Sequence, residues 1–193
     1  MRKSLFFIIV LIILIAISTG SVLAETDFRG VSWGMSEEEV TNIEGIPDRT
    51  EEDLLIYDIE ISGVDLLLRY KFIEDTLVQA TFYNNENYID NSQYYNDYQT
   101  LNNSLKQVHG DPQKEIANWD SSMAKAMHSE KMGFELNMVE FLTNWEKERF
   151  SINHILTNED FSNAVHAFIY ESLVPEHQEL IKTTEQEELE QQL

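Results

Sequence analysis

Gly34-Met35-Ser36-Glu37-Glu38-Glu39-Val40-Thr41-Asn42-Ile43-Glu44-Gly45-Ile46-Pro47 is a helix with both of its ends written in side chains. Ser36 offers a hydroxyl to a free backbone N–H, and Glu39, three residues on, reciprocates, which is the capping box. Met35 before the cap and Val40 inside the helix have the spacing of a hydrophobic staple. The three glutamates lie in the turn where the helix dipole favours negative charge. Gly45 suits a left-handed helix terminus, and Pro47 cannot continue the helix. The helix is therefore expected from Glu37 to Glu44, burying Val40 and Ile43.

The same punctuation recurs as Gly110-Asp111-Pro112, so the two Gly-x-Pro turns use two of the chain's 3 prolines. Ahead of Gly110, residues Tyr95, Tyr98, Leu101, Leu105 and Val108 recur at helical steps and predict a second helix with one apolar stripe. After each turn the period changes to two. Leu55, Tyr57, Ile59 and Ile61 alternate with Ile56, Asp58 and Glu60; Ser62-Gly63 reads as a turn, and Val64 to Phe72 alternates again. Glu74-Asp75 makes the next turn, with a third strand from Leu77 to Tyr83. Beyond Pro112 the strands are expected over Ile116 to Met123, Gly133 to Trp145, Arg149 to Leu156 and Ala164 to Tyr170. Phe150, Ile152, His154 and Leu156 share one face, and Lys125 to Lys131 reads as a loop or bulged strand end. Such a meander has one apolar face, and a helix covers it. The expected fold is α+β: two tandem similar units, each a helix or helical pair packed on an antiparallel β-meander, spanning 25–88 and 89–173. An acidic tail, 174–193, follows as at best an exposed, fraying helix.

The start reads as a leader. Met1-Arg2-Lys3-Ser4 is basic, Leu5 to Ile17 is unbroken apolar, and Val22-Leu23-Ala24 offers a signal-peptidase site, so 1–24 is expected to be removed after Ala24 and the remainder exported. The alternative is an uncleaved anchor, since Leu5 to Leu23 approaches the roughly 20 residues of a membrane span. No cysteine exists, which excludes thiolate nucleophiles, thiolate metal sites and disulfides. With 35 acidic against 13 basic residues the formal charge is −22, which argues against nucleic-acid binding and adhesion to anionic lipid.

Gly34-Met35-Ser36, Val40 and Gly45-x-Pro47 resemble the signature of the SmpA/OmlA (BamE-like) envelope proteins, which are grouped with folds similar to β-lactamase inhibitor protein. The resemblance covers Phe28 to Tyr83 well and Tyr95 to Tyr170 only through Gly110, Pro112 and the order of elements. It implies helices packed on antiparallel sheet, in tandem as in the inhibitors, and work by protein binding. The missing cysteine departs from the lipid anchor of the BamE-like proteins and from the disulfides of the inhibitors.

Candidate chemistry is sparse. Asp58 with Glu60, or Glu159 with Asp160, form carboxylate pairs, but 35 acidic residues make such pairs expected by chance. The 5 histidines show no metal-ligand spacing; His109 suits a helix C-terminus, and His154 and His166 could approach one another across adjacent strands, as partnered sheet histidines rather than ligands or bases. Asn84 to Asp97 lacks the glycine and terminal glutamate of a calcium loop. Asn102-Asn103-Ser104 matches a glycosylation sequon inside a helix. Tyr83, Tyr88, Tyr94, Tyr95 and Tyr98 cluster, and Tyr88 and Tyr94, off the apolar stripe, are candidate protein-binding residues. The expectation is thus a non-enzymatic, cofactor-free exported module that binds another protein, with no nucleic-acid partner and no stable membrane insertion. A secreted inhibitor of a hydrolase is the alternative.

Overall fold

A computed structural model describes residues 27–158 and 164–191. The leader and the Glu159–Asp160 pair lie outside the described residues. Among the described residues the fold is α+β, with eight antiparallel strands in one sheet of order β1-β2-β3-β4-β8-β7-β6-β5. The elements run α1 (Glu37–Glu44), β1 (Arg49–Glu51), β2 (Leu54–Ile61), β3 (Val64–Ile73), β4 (Thr76–Tyr83), α2 (Ser92–His109), β5 (Lys114–Trp119), α3 (Ser122–Met127), α4 (Glu130–Glu135), β6 (Val139–Glu146), β7 (Phe150–Asn158), β8 (Ala164–Ser172) and α5 (Pro175–Gln191).

The first helix follows its capping chemistry. Ser36 Oγ accepts from Glu39 N at 3.3 Å, and Glu39 Oε2 accepts from Ser36 N at 2.9 Å. Replacing Ser36 with alanine is expected to cost about 1 kcal/mol, read as a lower denaturant midpoint at unchanged slope. Val40 is fully buried, whereas Ile43 is 43% exposed, correcting its expected place in the core: an eight-residue helix turns only a narrow stripe inward. Gly45 caps the helix at φ +95°, its N–H on the Thr41 carbonyl, and its own carbonyl accepts the Tyr57 hydroxyl at 3.1 Å. Gly110 ends α2 at φ +76° with its N–H on the Lys106 carbonyl, and its carbonyl accepts Trp145 Nε1 at 2.8 Å. Each glycine carbonyl is thus tied to an aromatic side chain of the following sheet, while Pro47 and Pro112 stand two residues beyond, half-buried. Gly34 and Met35 pair with Leu77 through backbone bonds of 3.0 and 2.9 Å, fastening the helix entry to β4.

The hairpins use the turns their sequences ask for. Ser62-Gly63 and Glu74-Asp75 all have positive φ, the geometry that matches strand twist in two-residue loops. A register shift between Lys71 and Phe72 bends β3 against β4. The inner face carries the core: Tyr57, Leu68, Tyr70, Phe72, Phe82, Trp145, Ile152, Phe168 and Tyr170 in one cluster, and Tyr94, Tyr98, Phe134, Val139, Phe141 and Leu156 in a second.

The stretch between β5 and β6 departs from expectation. The strand expected over Ile116 to Met123 stops at Trp119, and the strand expected from Gly133 begins only at Val139. Between them Ser121 and Ser129 accept from Ala124 N and Met132 N and start two short helices, so Lys125 to Lys131 is not a loop. These hydroxyls offer free N–H groups a local partner, and Phe134, fully buried, anchors α4 to the core. Gly133 lies against Trp119, where an added Cβ would come within 2.4 Å of the ring. The acidic region, expected at best as an exposed helix, is the seventeen-residue α5, whose first residue, Pro175, is suited to a first helical turn.

Candidate functional site

Tyr94, placed by sequence on an exposed edge, is 3% exposed, which corrects that placement. Its ring packs in the second core cluster, its hydroxyl donates to the Glu86 carbonyl at 2.5 Å, and Tyr88 N donates back to the hydroxyl at 3.2 Å. The stripe on α2 is wider than the spacing of Tyr95 and Tyr98 alone indicates, because the connector 84–91 folds back over the helix start. Tyr88 is half-buried and donates to Asp97 Oδ2 at 2.8 Å, with burial first and that carboxylate second raising its pKa. Tyr95 reaches Glu130 at 3.1 Å, while Val108, expected in the stripe, is 76% exposed. The tyrosine cluster therefore builds the helix entry rather than a bare patch.

Gly34, Met35, Ser36, Glu39, Val40, Gly45, Pro47, Gly110 and Pro112 occupy helix caps, turns and the core, as set out above. They shape the scaffold and bring no reactive groups together.

The sheet's outer face is a different surface. Antiparallel register places Ile116 opposite Leu142, Leu142 opposite Ile155 and Ile155 opposite Ala167, all outward. Ile116 is 43% exposed, and Leu142 and Ile155 are half-buried. They border an open depression of about 540 Å³ together with Asn118, Glu140 and Thr157. Thr157 donates to Glu140 at 2.6 Å, and Asn144 to Asn153 at 3.0 Å, so the polar neighbours of the row are paired with one another. The row continues across β8 into Tyr83 and Leu67, with Arg69 lying 5.5 Å from the Tyr83 ring centroid. Toward β2 it meets a second depression of about 430 Å³ lined by Asp58, Glu60, Asp65 and Glu86. The pair Asp58 and Glu60 thus faces open solvent beside other carboxylates. Alternation in β5 to β7 held the signal for this face, since Ile116, Leu142 and Ile155 stand at outward positions where polar residues are the rule.

Inside, His154 and His166 meet as their strands suggested, Nε2 to Nε2 at 3.0 Å, both essentially buried. Their tautomers follow from two asparagines. Asn102 donates its amide to Glu115 at 2.9 Å, so its oxygen faces His154 Nδ1 at 3.4 Å and requires a proton there. Asn84 accepts Glu86 N at 2.9 Å through its oxygen, so its amide faces His166 Nδ1 at 3.4 Å and requires a bare nitrogen. The His166 Nε2–H then donates to His154 Nε2, and all four ring nitrogens are satisfied with both rings neutral. Burial lowers the pKa of His166 to about 3 and that of His154 well below its ordinary value, the second ring adding to the latter shift. Tyr98 stacks on His154 at 4.2 Å and bonds Thr143 at 2.7 Å. Asn102 of the sequon is 1% exposed and unavailable to a glycosylating enzyme. A neutral, closed pair of this kind holds the core together and has no bare acceptor left for proton abstraction.

A second polar cluster joins Arg29, Glu44 and Tyr70. Arg29 grips both Glu44 oxygens at 2.9 Å, and Tyr70 donates to the same carboxylate. Burial opposes the charge on Glu44, but the bonds from Arg29 and Tyr70 outweigh it and hold its pKa down. His109, beside Gly110, bonds the Tyr170 hydroxyl at 2.8 Å through Nε2. Among the described residues no group of three or more His, Asp or Glu side chains is arranged to hold a metal, and no helix is long and apolar enough to cross a membrane. No family model, no curated protein and no solved structure matches the chain.

Proposed function

We propose that the protein is an exported, non-catalytic protein-binding module of the cell envelope or exterior, and that it is built of two similar α+β units in tandem. The observation that carries the binding role is the outward apolar row Ile116, Leu142 and Ile155 on an open sheet face. Contiguous apolar surface rimmed by polar groups is characteristic of contact sites. The tandem reading is supported by order and by junction chemistry. A helix, a Gly-x-Pro turn and a four-stranded meander occur twice in sequence, the last strands of the two meanders meet at the sheet centre, and Tyr57 and Trp145 bond the two equivalent glycine carbonyls. The resemblance of Gly34-Met35-Ser36 and Gly45-x-Pro47 to BamE-like proteins agrees with a binding role, and the basic-apolar start of the chain with export.

The test uses the full-length chain as bait against the envelope and medium of the producing organism. A double substitution, Leu142→Lys with Ile155→Lys, is expected to abolish capture of the specific partner. A stability loss of about 1–2 kcal/mol is expected, because the two positions are half-buried and directly opposed and two lysines there repel, so capture is compared on a variant shown to be folded. Equal capture by a folded double variant sinks the assignment of this face.

The alternative, inhibition of a hydrolase, draws on one feature. Where β1 and β2 are joined by a short turn, β5 and β6 are separated by α3 and α4, which carry Met123 and Met127, each 70% exposed. Flexible, polarisable methionine suits an adaptable contact. Stoichiometric loss of turnover by a captured hydrolase would select this reading over an assembly role.

A further inference from the structure

Beneath the second half of α2, over the seam where β4 meets β8, lies a cavity of about 150 Å³. Leu101 and Leu105 line it from the helix, Phe82 and Phe168 from the sheet, and Phe28 from the segment leading into α1. The two sheet phenylalanines stack at 4.3 Å, and both leucines are buried, so these walls are firm. Interiors normally pack with few voids larger than a water, and wall atoms facing a void forgo their dispersion contacts.

Water is a poor occupant here. A water held in place needs two to four polar partners, and several of the polar side-chain atoms at the pocket are engaged with one another. The Tyr170 hydroxyl and His109 Nε2 hold each other at 2.8 Å. Ser104 Oγ bonds Ser62 Oγ at 2.8 Å and the Thr100 carbonyl at 3.1 Å. Arg29 at the rim is gripped by both oxygens of Glu44. The rim also offers no free charge: Arg29 is neutralised by Glu44, and burial, with Lys147 adding, lowers the pKa of His109 and favours its neutral ring. The pocket opens to solvent beside Val108 and its exposed lining is mostly apolar, so an apolar guest gains contacts there that water cannot make. Val108, 76% exposed, stands at the mouth and marks the way in.

We propose that this cavity is a binding site for one small, uncharged apolar group, of the bulk of a benzene ring or a short alkyl tail, entering past Val108 between α2 and the Phe28 segment. The site is separate from the outer face, because it opens on the opposite side of the sheet.

The full-length chain is titrated with benzene, 1-hexanol and hexanoate, following the thermal midpoint and the methyl resonances of Leu101, Leu105 and Val108. Benzene and 1-hexanol are expected to raise the midpoint by a few degrees and to shift those methyls. Hexanoate, whose carboxylate finds no free cation, is expected to bind at least tenfold more weakly than 1-hexanol. Leu105→Phe fills the cavity and is expected to remove both responses. Absence of any response in the folded wild-type chain overturns the proposal, as does an undiminished response in folded Leu105→Phe. Should that variant fail to fold, the methyl map decides: shifts confined to residues away from the cavity overturn the site, and hexanoate equal to 1-hexanol overturns its selectivity for uncharged ligands.

Discussion

Lowering the pH from 6.5 to 4.5 is expected to remove on the order of 5 kcal/mol of stability through two side chains, His154 and His166. Both rings are neutral and buried, with His166 lowered to about 3 and His154 well below its ordinary value of 6.5. In the unfolded chain both titrate near 6.5. Below that value the unfolded state binds protons that the native state refuses, so stability is complete above it and falls with pH, by about 1.4 kcal/mol per unit for each ring. Protonating either ring would turn an acceptor nitrogen into a donor and break the run from Asn84 through His166 and His154 to Asn102. Denaturant unfolding at stepped pH checks this. His154→Leu with His166→Leu should reduce the slope between pH 6.5 and 4.5 by about two protons, because it removes both titrating groups at once. An unchanged slope in the folded double variant rejects the account.

Trp145→Ala is expected to cost about 3–5 kcal/mol. The indole is fully buried in the larger core cluster, and its N–H donates to the Gly110 carbonyl at 2.8 Å. Truncation therefore opens a cavity and deprives the carbonyl that ends α2 of its partner. Trp145→Phe retains most of the apolar contact and should cost about 1–3 kcal/mol less than the alanine variant. The thermal midpoint reports the difference, with a fall of about 10 °C or more for alanine. A cost under about 1 kcal/mol for Trp145→Ala would mean that the second Gly-x-Pro turn is held by other contacts.

How much was legible depended on whether the relevant force is local. The capping box at Ser36 and Glu39 acts within one turn of helix, so α1 could be read to its bounds. The two-residue turns at Ser62-Gly63 and Glu74-Asp75 act within four residues, and β2 to β4 followed from them. Phe134 and Gly133 were misread as strand because a short apolar run has no distinguishing period, and what makes it helix is burial of Phe134 and contact with Trp119, which is distant in sequence. The candidate Tyr94 failed for a similar reason: whether an aromatic beside a polar connector is exposed depends on where that connector folds. The outer row was present as alternation, but its continuity arises only when β5, β6 and β7 align in register.

By itself, the sequence determined the ends of α1, the Gly110 end of α2, the hairpin turns at Ser62-Gly63 and Glu74-Asp75, and the alternation that commits β2 to β4 and β7 to an inner and an outer face, and it put His154 and His166 within reach of one another. These rest on hydrogen bonds and backbone preferences that span a few residues, or on a period that one strand already contains. Only the tertiary structure decided that the two meanders join through β4 and β8 into one sheet, that Tyr94 goes inward, that the asparagines orient the histidine pair, and that an apolar pocket is left beneath α2. Each of these depends on which surfaces pack together, and packing couples residues far apart in the chain through excluded volume and burial.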